Sequence, residues 1–406
     1  MIIILGDYNR EKKKIIIVIL SKQTYLNTNI YINEKLSVPK FDIIEYEVQR
    51  ICLDLHSHNI KNINIKFLSK DLELIEHISK LNLTSTLENV DVVNCDSTYG
   101  IEKNLWNKIS NAKSHTIIHC GDQIYNDKLF KNYHKNIKMD EEGLDLLHND
   151  IFDAYYTQFS RYKRVLKNNL NLMIPDDHEV VDNTYNDKYA NDKTFLKIKK
   201  VFVDFYTKIQ LGLKISDEKI YYLENKKNST IYVLNYEETY DEKILSENGF
   251  YSKIKPYQNI VLISRKSLLS SKISFLNRIV YSMDKYEMNQ IDFLLKIAIK
   301  TNKKIFVLCG DDHTYKKSII RGSDGKTLCT IITCGPINTV PELFKNEIIL
   351  NTKLPNLSIE NKHYLLVNSF VQIKGSDKKI NIKKIIHKSD PITTIFDNVI
   401  TAIQFL

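Results

Sequence analysis

The sequence predicts an α/β protein with additional β structure at both ends, and three observations lead there. From Val90 onward, β-branched apolar runs alternate with amphipathic stretches at helical spacing. The first ninety or so residues are rich in strand signals, and so is the tail. Finally, four of the central runs stop at short polar segments that carry carboxylates, as the strand ends of an open α/β sheet do where ligands bind.

Taken in order, "KKIIIVILS" and "TNIYINE" read as a hairpin, and "KNINIKFLS" as another β-branched strand. "FDIIEYEVQRICLDLHSH" has apolar residues close to helical spacing and stays ambiguous. "VDVVNC" is a strand, "EKNLWNKISNAK" a short helix and "HTIIHC" a strand. A long helix is expected within "GLDLLHNDIFDAYYTQFSRYKRVLKN", because Leu147, Ile151, Tyr155, Phe159 and Tyr162 recur at i+3/i+4 spacing. "LNLMIP" is a brief strand, "FLKIKKVFVDFYTKIQL" a helix, and "STIYVLNYE" and "YQNIVLIS" strands. "EMNQIDFLLKIAIKTN" is a helix leading into the strand "KIFVLCG". The domain expectation is an N-terminal β-rich accessory unit over 1–89 and an α/β domain over 90–406, completed by strands from about residue 342.

Composition narrows the class. At 406 residues, two structural units are expected. Hydrophobic content of 43% and charged content of 26% are those of a globular chain. No apolar run reaches the ~18–20 residues of a membrane span, and no secretory signal is read. The six cysteines form no CxxC pair, so reduced thiols in a cytoplasmic setting are expected. The net charge of +9 is spread through short lysine runs without an aromatic-interleaved platform, so nucleic acid is not an expected partner.

The acidic strand ends carry the chemistry. Cys95-Asp96-Ser97 follows "VDVVN", and Cys120-Gly121-Asp122 follows "HTIIH", with Tyr125, Asn126 and Asp127 close behind. Pro175-Asp176-Asp177-His178-Glu179 follows "LNLMI", and Cys309-Gly310-Asp311-Asp312-His313 follows "KIFVL". Converging carboxylates repel unless cations neutralise them, and a pair of metal ions uses several carboxylate oxygens plus imidazole. Singly, each element has a plainer reading. "IIILGDYN" also holds a strand-Gly-Asp sequence and reads as a hairpin turn. Asp176 to Glu179 reads equally as a helix N-terminus, and a lone His178 or His313 as a structural histidine. His119 belongs to the core. The conjunction of four acidic ends in one α/β segment favours the metal reading.

"NCDSTYGIEKNLWNKISNAKSHTIIHCGDQIYND", "MIPDDHEVVDN" and "LCGDDH" together resemble the PhoD-like branch of the calcineurin-type metallophosphoesterases, over roughly Val90 to Pro341. That resemblance implies a four-layer α/β/β/α sandwich, often with an N-terminal β-rich domain, and hydrolysis of a phosphoester at a two-metal site. It implies two metal ions, Fe3+ plus Ca2+ or another divalent metal. Carried over by motif, Cys95 is a thiolate ligand to iron with Asp96 beside it, Asp122 bridges both ions, and Tyr125 ligates the ferric ion. Asp177, or Asp176, holds the second metal, His178 sits near the attacked phosphate, and Asp311 and His313 complete the set. The catalytic group is thus His178, Asp122 and Asp177, and the substrate a phosphoester-containing small molecule or lipid. One departure stands out. Many members end a strand here in Asp-x-Arg, whereas this chain has Asn235 in "IYVLNYEETYDE" with no arginine, and Arg265 after "NIVLIS" is the nearest replacement. A relative that keeps the fold without turnover is therefore the alternative.

Overall fold

The computed structural model of the chain describes residues 1–9, 14–21, 28–37, 40–43, 48–55, 58, 63–81, 89–97, 104–111, 116–182, 191–211, 220–225, 229–235, 249–265, 285–311, 313, 315–334, 358–364, 369–376 and 379–386. It forms two compact units, each assembled from separated stretches. The first takes Met1–Asp91, Trp106–His119 and Ile124–Ser216; the second takes Val92–Leu105, Cys120–Gln123 and Asp217–Leu406.

The first unit begins with β1 (Ile2–Asn9), β2 (Lys14–Leu20), β3 (Asn29–Ile32), β4 (Lys35–Ser37), β5 (Lys40–Ile43), β6 (Val48–Asp54), β7 (Ile63–Leu68) and β8 (Leu74–Leu81). β9 (Asn89–Val93) carries the chain across the boundary, and α1 (Asn104–Asn111) brings it back to β10 (Thr116–Cys120). There follow α2 (Asp127–Asn136), α3 (Glu141–Ser160), α4 (Lys163–Asn168), β11 (Leu170–Ile174) and α5 (Lys193–Ile209). One sheet runs in the order β10-β11-β1-β2-β6-β5, and a smaller one in the order β4-β3-β7-β8.

Sequence explains most of these elements. Ile15 to Leu20 are all buried, as a central strand covered on both faces requires. In β7, buried and half-buried residues alternate, the period-2 pattern of a strand with one covered face. Asp140 caps α3 by accepting from the Gly143 N–H at 3.1 Å, and Glu141 and Glu142 favour the helix dipole. The expected seam of Leu147, Ile151, Tyr155, Phe159 and Tyr162 is buried. The helix breaks after Ser160, however, and Tyr162 precedes the separate α4.

Two local expectations fail, and one open reading is decided. β2 and β3 do not pair: β2 lies between β1 and β6, while β3 lies between β4 and β7. The ambiguous stretch is two strands, β5 and β6, paired with each other. Gly6 and Asp7 are not a turn but sit inside β1, which runs on to an Asn9–Lys14 pair. Residues 10–13 lie outside the described residues.

The second unit contains β12 (Ile220–Asn225), β13 (Thr230–Asn235), α6 (Phe250–Ile254), β14 (Asn259–Ser264), α7 (Lys285–Thr301), β15 (Lys304–Cys309), β16 (Tyr315–Arg321) and β17 (Thr327–Thr333). β18 (Ser358–Tyr364) and the hairpin β19 (Ser369–Ser376) and β20 (Lys379–Ile386) follow. Its sheet runs β12-β13-β14-β15-β17-β16-β18. β13, β14, β15 and β17 are parallel, so their carboxyl ends reach one edge together. Phe250, Ile254, Leu294 and Ile297 share a buried cluster with Ile231, Leu262 and Val307 and so anchor α6 and α7 on one face. That anchoring fixes where the strand ends fall.

Candidate metal centre

In the second unit the strand ends are bound to one another by main-chain contacts. The Gly310 N–H donates to the carbonyls of Ser264 (3.3 Å) and Arg265 (3.2 Å), joining the ends of β14 and β15. The Cys334 N–H donates to the Cys309 carbonyl at 2.8 Å, and Asn94 Nδ2 donates to the Cys334 carbonyl at 3.2 Å. The Cys95 N–H donates to the Gly121 carbonyl (3.3 Å) and the Asp96 N–H to the Asp122 carbonyl (2.8 Å). A Cβ placed on Gly310 would stand 2.1 Å from the Cys120 carbonyl oxygen, 2.4 Å from Asn94 Oδ1 and 2.9 Å from the Arg265 carbonyl oxygen. Only glycine fits there, which is the physical reason for the residue before Asp311.

Three candidate residues at these ends adopt the left-handed backbone region although none is glycine: Cys95 at φ 49°, Asp122 at 54° and Asp311 at 70°. Gly121 at φ 93° prepares the second of these turns. Such conformations cost L-residues of order 1 kcal/mol each and collect where a site dictates the backbone.

The side chains follow the backbone. Cys95 Sγ donates to Asp122 Oδ2 at 3.3 Å, and both residues are buried. His313 is half-buried beside them, and one ligand atom from each of Cys95, Asp122 and His313 lies within 4.8 Å of the others. Sulfur, carboxylate oxygen and imidazole nitrogen so gathered fit a transition metal better than magnesium. Asp96 is buried next to them, and Asp311 is half-buried. The other thiols serve packing. Cys309 Sγ lies 3.6 Å from the Ile332 carbonyl, and the Cys334 thiol is pushed up by its hydrogen bond with Cys120 and by burial.

The first unit holds the remaining candidates in a second cluster. After β11 the chain turns, with the Asp177 carbonyl accepting from the Val180 N–H, and no helix starts at Asp176–Glu179. The helix N-terminus reading of this segment is therefore incorrect. Glu179 is wholly buried and locks the turn: its Oε2 accepts from the Asp176 N–H (2.7 Å), its Oε1 from Gln210 Nε2 (3.2 Å), and its carbonyl from Asn126 Nδ2 (2.8 Å). Asp176 is buried and Asp177 half-buried. His178 Nδ1 meets Asp127 Oδ2 at 2.7 Å, and its ring lies 4.4 Å from that of Tyr125. Burial alone would raise the Asp127 pKa, but the hydrogen bond and charge of His178, the Asp182 N–H and Lys131 outweigh it and lower the value.

Sequence reasoning assigned no role to Asp127. As the first residue of α2 it looks like an ordinary dipole-favoured acid, and nothing local points to a partner fifty-one positions away. Residues 183–190, 236–248 and 312 lie outside the described residues.

No protein-family model matches this chain, and no curated protein matches it. Among solved structures, that of PhoD superposes with a TM-score of 0.60 at 11% identity, covering 98% of this chain and 95% of the other. A purple acid phosphatase from yellow lupin (Lupinus luteus) seeds superposes with a TM-score of 0.58 at 9% identity, covering 95% and 71%. At such identities the likeness establishes the fold: this chain has the mixed α/β architecture common to both.

Proposed function

We propose that the chain hydrolyses phosphoesters with metal ions held at these strand ends. The observation that carries the reading is the grouping of buried Cys95 and Asp122 with half-buried His313 at strand ends of a fold also found in PhoD and in a purple acid phosphatase. Cys95, Asp122 and His313 would hold one ion, of transition-metal character and suited to iron given thiolate and imidazole donors. Asp96 and Asp311 add further carboxylates at the same strand ends, suited to calcium or another hard divalent ion as the second metal. Bound there, metal ions acidify water and neutralise charge gathering on phosphoryl oxygens during in-line displacement.

The chain's own residues do the rest. Asp127 holds His178 through Nδ1, which leaves Nε2 as the atom that gives a proton to the departing oxygen. The Glu179 bonds keep that turn from swinging. The substrate class is a small phosphoester or a phospholipid headgroup. Metal analysis of the purified protein and hydrolysis of aryl phosphomonoesters and diesters test the proposal, with Asp122→Asn as the control. Metal-free protein, or an Asp122→Asn variant as active as wild type, would refute it. Metal without hydrolysis would favour the non-catalytic alternative, for which Asn235 in place of an arginine-bearing end is the specific support.

A further inference from the structure

We propose that the second unit carries a docking surface for an anionic phospholipid bilayer, at the end of its sheet opposite the candidate metal centre. The parallel strands β13, β14, β15 and β17 begin at Thr230, Asn259, Lys304 and Thr327, and lysines gather around those amino ends. Lys253 lines a hollow with Ser229, Pro256 and Tyr257. Lys303 Nζ donates to the carbonyls of Lys255 (3.0 Å) and Tyr257, and Lys326 Nζ donates to Asn302 Oδ1. Lys300, in the last turn of α7, stands over the Tyr251 ring, 4.9 Å from its centroid. Lys253, Lys255, Lys300, Lys304 and Lys326 are exposed, and Lys303 is half-buried.

These charges are not cancelled where they stand. Lys300, Lys303 and Lys326 meet an aromatic ring, main-chain carbonyls and an amide, all uncharged, so the contacts orient the ammoniums without neutralising them. The two acids described on this edge leave it positive. Glu224 Oε2 accepts from the Tyr257 hydroxyl at 2.5 Å, and Asp324 Oδ1 accepts from the Lys326 main-chain N–H at 2.9 Å. Clustered lysines of this number draw a protein to acidic headgroups, each strengthening binding by about fivefold. Apolar content chooses lipid over nucleic acid. Ile299, next to Lys300, is 55% exposed, and a bilayer interface takes up such a side chain whereas a phosphodiester backbone does not. Single-stranded nucleic acid needs open aromatic faces for its bases, and the Tyr251 face is already covered by Lys300. β15 runs six residues, about 20 Å, from this edge to the candidate ligands, so docking and the proposed hydrolysis use opposite ends of one sheet.

The test is cosedimentation of the full-length protein with phosphatidylcholine vesicles, with or without about 30% phosphatidylserine, at about 0.1 M salt. Wild type should bind the anionic vesicles at least about tenfold more tightly than the neutral ones. Lys253→Gln combined with Lys255→Gln should weaken that binding by about 25-fold. Lys135→Gln combined with Lys193→Gln removes the same charge from exposed positions of the first unit and should change it by less than about twofold. Ile299→Ser should weaken binding several-fold with the lysines intact. All five positions are exposed, so none of these changes disturbs the core. A wild type that ignores the anionic vesicles, or an equal loss in the two double variants, overturns the proposal. Unchanged binding in Ile299→Ser, or tighter binding to duplex DNA than to the anionic vesicles, overturns the assignment to lipid. Each of these results leaves the proposed hydrolysis standing, because the metal centre lies at the other end of the strands.

Discussion

Adding one methyl group at Gly310 should uncouple the strand ends from each other and weaken the metal binding proposed for them. The new Cβ would meet three atoms below 3.0 Å, at 2.1, 2.4 and 2.9 Å, and two of these are main-chain carbonyl oxygens that cannot rotate aside. Overpacking a close-packed site by a methyl group costs about 1–3 kcal/mol. With two immovable neighbours the upper end applies, so Gly310→Ala is expected to destabilise by about 3 kcal/mol. For a chain of this size, that corresponds to a fall in the urea midpoint of about 1 M or less. Gly322→Ala is the control, since its Cβ would come no nearer than 3.1 Å to Asp324 Oδ1, the end of a side chain that can move. Urea unfolding of both variants, with metal content measured on the same samples, checks the expectation. If Gly310→Ala unfolds at the wild-type midpoint and binds a full complement of metal, then the close approach of β9, β10, β14 and β15 does not hold the site together.

His119 should make stability depend on pH. Its ring is wholly buried, accompanied by Trp106 and Tyr162, and burial takes its pKa from 6.5 to about 4 despite the hydrogen bond with Asn171. Unfolded, it takes up a proton below 6.5, whereas folded it stays neutral to about 4. Its contribution is therefore whole above pH 6.5 and lost as pH falls towards 4, by about 3 kcal/mol. His119→Gln should flatten that part of the urea-midpoint profile. Asp127→Asn should lower kcat by about 10- to 100-fold with little change in KM, and the loss should grow as the leaving group becomes more basic. An equal loss for aryl and alkyl esters would argue against proton transfer through His178. In metal-free protein Asp122→Gly should be more stable than Asp122→Ala by about 1 kcal/mol, because glycine accepts φ 54° without penalty. At an ordinary strand position the order is the opposite.

Much of the second unit was legible because parallel, doubly covered strands are written as continuous apolar runs. "NIVLIS" and "KIFVLC" needed no long-range information to be read. The first unit was harder. β1 takes its place by pairing in parallel with β11, Leu5 opposite Asn171, and no local pattern specifies a partner so far along the chain. β2 and β3 look like consecutive hairpin strands, yet burial of Ile30, Ile32, Ile65 and Phe67 binds β3 to β7 instead. Within the site, residue types at strand ends could be read from sequence, but their partners could not. The Asp127–His178 pair and the Asn94 bond to Cys334 each join distant segments, and only the fold decides which strand ends are neighbours.

The Gly-Asp dipeptide shows why composition at a strand end is a weaker signal than the backbone that delivers it. It occurs at Gly6-Asp7, Gly121-Asp122 and Gly310-Asp311, each after an apolar run. In β1 the strand runs on through the dipeptide, where its register with β2 shifts, and pairs again at Asn9–Lys14. At the other two places the strand stops, and the aspartate enters the left-handed region at φ 54° or 70°. Leaving a strand in that conformation turns the chain away at once and frees the sheet edge for side chains instead of further ladder bonds. Unfavourable backbone of this kind persists only where surrounding structure enforces it. Here the enforcement is visible: the Gly121 carbonyl holds the Cys95 N–H, the Asp122 carbonyl holds the Asp96 N–H, and Gly310 is clamped between β14 and the Cys120 carbonyl. A dipeptide that β1 accommodates within a strand is thus held in the left-handed region in two other places, and both are where the candidate ligands stand.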